Sequence, residues 1–231
     1  MPINKISILI RLYNGIEFLE ESLKSVLDQT YANWEVLIGI NGHGPTGGNV
    51  LQLASLVVSR IAKGDPRVRV INLPDVRGAA QAMNALVKEA ASDWVAILDV
   101  DDAWHPEKLT EQVITARSLM LTPDVIGTQC KYFGEMSGKP SIPFGYIDRE
   151  YFKKENPMIN SSVLIRKSLL NYTDLYIHLD DYDLWCRLVL DKKIFYNIDS
   201  ILTYHRIHKN SFCNASRKQD IDGLRRHYFQ N

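Results

Sequence analysis

One pattern constrains this chain more than any other. Through its first half, short apolar runs alternate with segments whose apolar residues recur at helical spacing. Ile6 to Ile10 reads as a buried strand, and Val36 to Ile40, Val68 to Leu73 and Trp94 to Leu98 as three more strands. Between them, Ile16 to Gln29 carries Ile16, Leu19, Leu23, Val26 and Leu27 on one face, with Glu17, Glu20 and Glu21 in the first turns, where a helix dipole favours them. A second helix follows the glycine-rich loop Asn41–Gly48 and ends near Ala62, before Gly64-Asp65-Pro66. A third spans Ala79 to Ala91. A fourth has Pro106 in its first turn and runs to about Met120. Strands alternating with amphipathic helices make right-handed βαβ units on a mostly parallel sheet. Ligands bind such sheets outside the carboxyl ends of the strands. Arg11–Asn14, Asn41–Gly48, Arg77-Gly78 and Asp99–Asp102 all leave such ends and should gather along one edge.

After Thr122 the alternation fades. Residues 130–160 show no clear period, and 123–231 reads as an irregular half. In it Asp180 to Leu190 is expected as a helix, Ile194 to Asn197 and Leu202 to His205 as strands, and Ser216 to Phe229 as an amphipathic tail helix. The 231 residues suit one domain that buries enough core to need no staple. Lys plus Arg and Asp plus Glu are 27 each, so the basic excess typical of nucleic-acid binders is missing. Cys130, Cys186 and Cys213 are too few and too scattered for a disulfide framework or a zinc site. No apolar run is long enough for a transmembrane segment, which leads us to expect a cytoplasmic protein, peripheral to a membrane at most.

Asp99-Val100-Asp101-Asp102 closes the fourth strand. Residues two apart in an extended chain face one side, so Asp99 and Asp101 would point together at the ligand edge. Carboxylates crowded there repel one another unless a cation sits among them. Their oxygens suit Mg²⁺ or Mn²⁺, ions that hold diphosphates and neutralise a leaving phosphate. The competing reading is a solvated turn, with Asp102 capping the helix at Pro106. Asp180-Asp181-Tyr182-Asp183 opens a helix. Asp180 or Asp181 is either an N-cap or a general base, and the two roles are compatible because a helix N-terminus favours an ionised carboxylate. His205 and His208 are structural hydrogen-bonders or ligands for an Mn²⁺-type ion. Arg77-Gly78 meets phosphate or base, or is ordinary surface. Trp94 and Trp104 pack in the core or on a sugar edge.

In order and spacing, these motifs resemble the family-2-like inverting glycosyltransferases of the GT-A fold, from about Ile6 to Ser211. Ser7 to Asn14 resembles the opening strand and nucleotide turn. Leu19 to Tyr31 is similar to the first helix, Ile97 to Leu109 to the D-x-D region, Asn160 to Arg166 to a loop-strand near the acceptor, and Arg206-Ile207-His208 to the late metal motif. The resemblance implies that Leu12, Tyr13, Asn14, Asn41, Arg77, Asn84, Asp99, Val100 and Asp101 contact the nucleotide sugar. It implies Asp101 and His208 as metal ligands, Asn160, Ser161 and Asp180 as acceptor-side residues, and Asp181 as the catalytic base. Asp180 stands where the family has Glu. Arg11-Leu12 stands for Pro-Thr, Ile40-Asn41-Gly42-His43 for Asp-Asp-Gly-Ser, and Met83 for Arg.

The implied activity is metal-dependent transfer, with Mn²⁺ or Mg²⁺, of a sugar from a nucleoside diphosphate sugar, UDP-linked by preference. The acceptor would be a glycan, lipid-linked or other hydroxyl, with inversion and a role in polysaccharide or glycan biosynthesis. Two alternatives stand beside it. One is a non-catalytic domain that binds sugar nucleotide or glycan. The other is a phosphohydrolase with Asp99 as nucleophile.

Overall fold

The computed structural model describes residues 3–44, 48–209 and 219–230. Positions 45–47 of the glycine-rich loop, Cys213, and the expected helix start at Ser216 lie outside the described residues. In chain order the elements are β1 (Ile6–Leu12), α1 (Leu19–Leu27), β2 (Trp34–Asn41), α2 (Gly48–Ala62), β3 (Val68–Leu73), α3 (Ala79–Glu89), β4 (Trp94–Ile97), β5 (Ala103–Trp104) and α4 (Lys108–Ser118). Then follow β6 (Val125–Gly134), β7 (Gly145–Ile147), α5 (Arg149–Lys154), β8 (Leu164–Arg166), α6 (Asp180–Leu190), β9 (Phe195–Ile207) and α7 (Ile221–Phe229).

Among the described residues all nine strands join one sheet in the order β3-β2-β1-β4-β8-β6-β9-β5, with β7 on β9. β3, β2, β1 and β4 are mutually parallel, whereas β8 runs antiparallel to both β4 and β6. The apolar runs are explained by cover on both faces. Ile8 and Ile10 of β1 pack with Leu19, Leu23 and Val26 of α1 and Leu109 and Val113 of α4. Leu9, between them, faces the other layer with Met83 and Leu86 of α3 and Leu184, Trp185 and Leu188 of α6. α3 lies close on β2 because Gly39 has no side chain: a Cβ there would stand 2.9 Å from Leu86 Cδ2.

Three sequence expectations change. The aperiodic 130–160 region begins with a strand not expected there, since β6 runs to Gly134 and pairs in parallel with β9. The two strands expected at Ile194–Asn197 and Leu202–His205 are one strand, β9, whose register on β6 shifts around Gln129. α4 begins at Lys108, past Pro106, with no side-chain cap. Among the described residues no helix is long and apolar enough to cross a membrane.

Candidate active site

β1, β2 and β4 end on the same edge of the sheet, and the second half closes over it. Asp99 follows β4 and is held by the short 3-10 turn Asn160–Ser162. Asn160 Nδ2 donates to both Asp99 carboxylate oxygens at 3.1 and 3.2 Å. Ser161 Oγ donates to Asp99 Oδ2 at 3.3 Å and accepts the Asp99 backbone N–H at 3.0 Å. Trp104 Nε1 donates to the Ser161 carbonyl at 2.6 Å and fixes the turn. Asn160 and Ser161, expected on the acceptor side, therefore spend these groups on Asp99.

Asp101 and Asp102 turn toward the end of β9. Asp101 Oδ2 lies 3.0 Å from His208 Nε2. Burial, then Asp102, raises the Asp101 carboxyl above its ordinary value, while His208 acts the other way. Asp102 is no helix cap. It is 1% exposed, sits 3.0 Å from His205 Nδ1, and accepts the Arg206 N–H at 2.8 Å. Burial alone would lower the His205 imidazole, but the Asp102 hydrogen bond and charge outweigh it and push it up to about 9. Arg206 locks the strand end. Its Nε donates to the Asp101 carbonyl at 2.8 Å, it pairs with Glu21, and its guanidinium lies over Phe18 and Phe133.

Asp180 and Asp181 are the first residues of α6. Neither caps the helix, since the N-cap position is Leu179. Asp180 is buried and accepts from Arg11 Nη1 at 2.7 Å, and Arg11 Nη2 lies 3.6 Å from Asp99 Oδ1. Asp181 is partly exposed. Its Oδ1 accepts the Tyr182 backbone N–H at 2.7 Å and its Oδ2 the Asn156 amide at 3.1 Å. Burial of the carboxyl, then the neighbouring Asp180, pushes it up to about 7.

The remaining candidates divide. Tyr13 is 54% exposed and stacks on His43 at 4.9 Å between centroids, which makes an open aromatic ledge. Asn14 is exposed beside it, and Asn41 is buried at the end of β2. The Leu12 side chain is fully buried in the core, so only its backbone can meet a nucleotide. Val100 is nearly buried; a Cβ on Gly15 would stand 3.1 Å from its Cγ1. Asn84 is committed elsewhere: its amide donates to the Tyr172 carbonyl at 2.8 Å and accepts the Tyr172 N–H at 2.9 Å. Arg77 is exposed and lines an open cavity of about 440 Å³ with Asp75, Gln81 and Lys88. Short contacts thus join Asp99 to Asn160 and Ser161, Asp101 to His208, and Asp180 through Arg11 to Asp99, with Asp181 next to Asp180 in the first turn of α6. Sequence reading gave no role to Arg11 or Asn156. The available signal was a charge at the end of a buried apolar strand, which needs a partner.

Among the described residues, no three His, Cys, Asp or Glu side chains make a ready cation cage. Asp101 and His208 nevertheless fit a divalent ion. They are a carboxylate and an imidazole, facing each other and part-exposed, and substrate phosphates and water commonly complete such a sphere.

This mixed sheet, flanked by helices and ending in carboxylates at its ligand edge, has the GT-A fold. The family model for glycosyl transferase family 2 matches residues 7–172, and the chain belongs to that family of enzymes. Two Escherichia coli relatives are UDP-Glc:alpha-D-GlcNAc-diphosphoundecaprenol beta-1,3-glucosyltransferases. WfgD is 28% identical over 94% of this chain and 85% of its own length, and WfaP 27% over 89% and 78%. Among solved structures, S. aureus TarS 1-349 in complex with UDP-GlcNAc superposes with a TM-score of 0.75 at 16% identity, covering 96% of this chain and 64% of that one. Mannosyltransferase PcManGT from Pyrobaculum calidifontis, in complex with GDP-Man and Mn2+, gives 0.64 at 16%, over 90% and 58%. The chain spans less than two thirds of either solved structure.

Proposed function

We propose that this chain is an inverting glycosyltransferase that moves a sugar from a UDP-sugar to a hydroxyl of a glycan or lipid-linked acceptor, with Asp181 as general base and residues 1–231 as one catalytic unit. The observation that carries this is the seat of Asp181. It is partly open, held on both oxygens by Asn156 and Tyr182, and adjoins the Asp99–Arg11–Asp180 row. A base works best with a pKa near the operating pH, and this carboxyl is raised to about 7. The E. coli relatives named for a UDP-Glc donor and a lipid-diphosphate acceptor support the choice of substrates.

Asp181 takes the proton of the acceptor hydroxyl as that oxygen bonds to the anomeric carbon. The bond from that carbon to the diphosphate oxygen breaks, and the diphosphate leaves with the electron pair. Attack opposite the leaving group inverts the centre and needs no protein nucleophile. Asp101 and His208 would hold Mn²⁺ or Mg²⁺, which supplies positive charge against the diphosphate. Asp99, oriented by Asn160 and Ser161, faces the nucleotide sugar. Tyr13 and His43 offer the base a stacking surface.

The test is Asp181→Asn, assayed by UDP release from UDP-glucose with a GlcNAc-diphospholipid acceptor. Transfer should fall by about 10²–10⁴-fold while donor affinity holds. Wild-type turnover in the variant would remove Asp181 from the mechanism.

A further inference from the structure

β1 is buried from Ile6 to Ile10, yet near its end stands Arg11, whose side chain is only 20% exposed. A guanidinium in that position must be paired, because an unpaired buried charge is strongly unfavourable. Its partners come from distant parts of the chain. Nη1 is 2.7 Å from Asp180 Oδ2 at the start of α6, and Nη2 is 3.6 Å from Asp99 Oδ1 after β4. Burial works against this charge, but Asp180 and Asp99 outweigh it, so the guanidinium holds its proton more tightly than a free arginine. One side chain therefore spans from the donor-side carboxylate to the residue next to the proposed base.

We propose that Arg11 is a positioning residue whose fixed charge ties Asp99 to the first turn of α6 and sets both the seat of Asp181 and the electrostatic field it faces. The inference rests on the reading of Asp181 as base. Two like charges, Asp180 and Asp99, act on Asp181, and Arg11 opposes both. The other groups around it are Tyr172, Cys186, the Asn156 amide and the Tyr182 backbone N–H. Asp181 shares its surroundings with two other carboxylates, and a cation held between those two relieves it. The two departures at these positions then belong together. Proline at position 11 has no arm to reach α6, whereas arginine does. Aspartate at 180 meets that guanidinium at 2.7 Å.

The decisive readout is the midpoint of the Asp181 carboxyl, followed by ¹³C NMR in the free 231-residue chain, with no donor or acceptor present. Arg11→Met should move that midpoint up, by about one pH unit if Arg11 acts at the low end of the range for an opposite charge, since the variant also leaves Asp180 and Asp99 without their cation. Arg11→Lys keeps the charge and should hold the midpoint near the wild-type value. Asp180→Asn removes a like charge and should lower it. A merely structural Arg11 gives the opposite sign, because a loosened helix turn admits water and lets the carboxyl fall toward its ordinary ~3.9. An unchanged or lowered midpoint in a cooperatively melting Arg11→Met variant overturns the proposal. If that variant does not fold, an unmoved midpoint in Asp180→Asn does the same. In kcat/KM profiles the acidic limb should follow the midpoint, upward in Arg11→Met. Should Asp181→Asn keep full transfer, the base assignment falls, while the carboxyl titration still decides what Arg11 does to Asp181.

Discussion

Asp181 and His205 both hold a proton more tightly in the folded chain than in the unfolded one. The unfolded midpoints are about 3.9 for Asp and about 6.5 for His; the folded ones are about 7 and about 9. Whichever state binds more protons gains as pH falls. For Asp181 the folded state is therefore favoured at low pH, and that advantage is lost as pH rises from about 4 through 7. For His205 the gain from Asp102 is complete below about 6.5 and gone above about 9. Melting temperature should thus fall between pH 6.5 and 9, and His205→Gln should flatten that window; parallel wild-type and variant curves would refute the linkage. The same Asp181 carboxyl should give transfer a rising limb centred near pH 7. At this scale the sequence was most informative where one residue has one chemistry. Aspartates ending one strand and histidines ending another carried the expectation of a charged cluster at the ligand edge, and Asp101 does meet His208 and Asp102 His205 there. That Asn160 and Ser161 hydrogen-bond Asp99 was not legible, because a contact 61 residues away for Asn160 leaves no trace in local pattern.

Between elements, buried polar links decide how the site is framed. Gln112 of α4 is fully buried; its Nε2 donates to the Ile126 carbonyl of β6 at 2.7 Å and to the Ser162 carbonyl at 2.8 Å. Its Oε1 accepts from Lys108 Nζ at 2.9 Å, an amine that burial holds well below its ordinary pKa and that lies over the Trp104 ring. Gln112→Leu strands two carbonyls and the amine, and should cost about 2–5 kcal/mol. Lys108→Met strands only the Gln112 oxygen and should cost less, about 1–3 kcal/mol. Urea unfolding of the two variants checks the order. Asp183 plays a similar part for α7: it is fully buried and accepts from Thr173, Arg187 and Tyr228. β1, β2 and β4 were legible because burial on both faces leaves continuous apolar runs. β6 was not: its first half is buried, its second half mixes exposed and buried positions, and its partner β9 changes register beside it. The pairing that defines the second half depends on contacts with no local period.

At the scale of the molecule, the site draws residues from both ends of the chain, so the donor should be felt by the whole fold. Calorimetric titration of UDP, GDP, dTDP and CDP, each with and without Mn²⁺, should show UDP binding that weakens at least tenfold when the metal is removed. Binding of none of them would sink the nucleotide-sugar reading. The fold class was readable from the βαβ alternation, and the antiparallel closure by β8 was not, since three residues carry it. That closure has a consequence in time. During translation β4 can meet β1 at once, but its other edge waits for Leu164–Arg166 to be made. At ~5–20 residues per second the wait is roughly 3–13 s. Through that interval a nascent chain presents an unpaired apolar edge, and Asp99 lacks the turn that will orient it. A chain in that interval carries a half-built sheet whose open edge a chaperone could cover until β8 arrives.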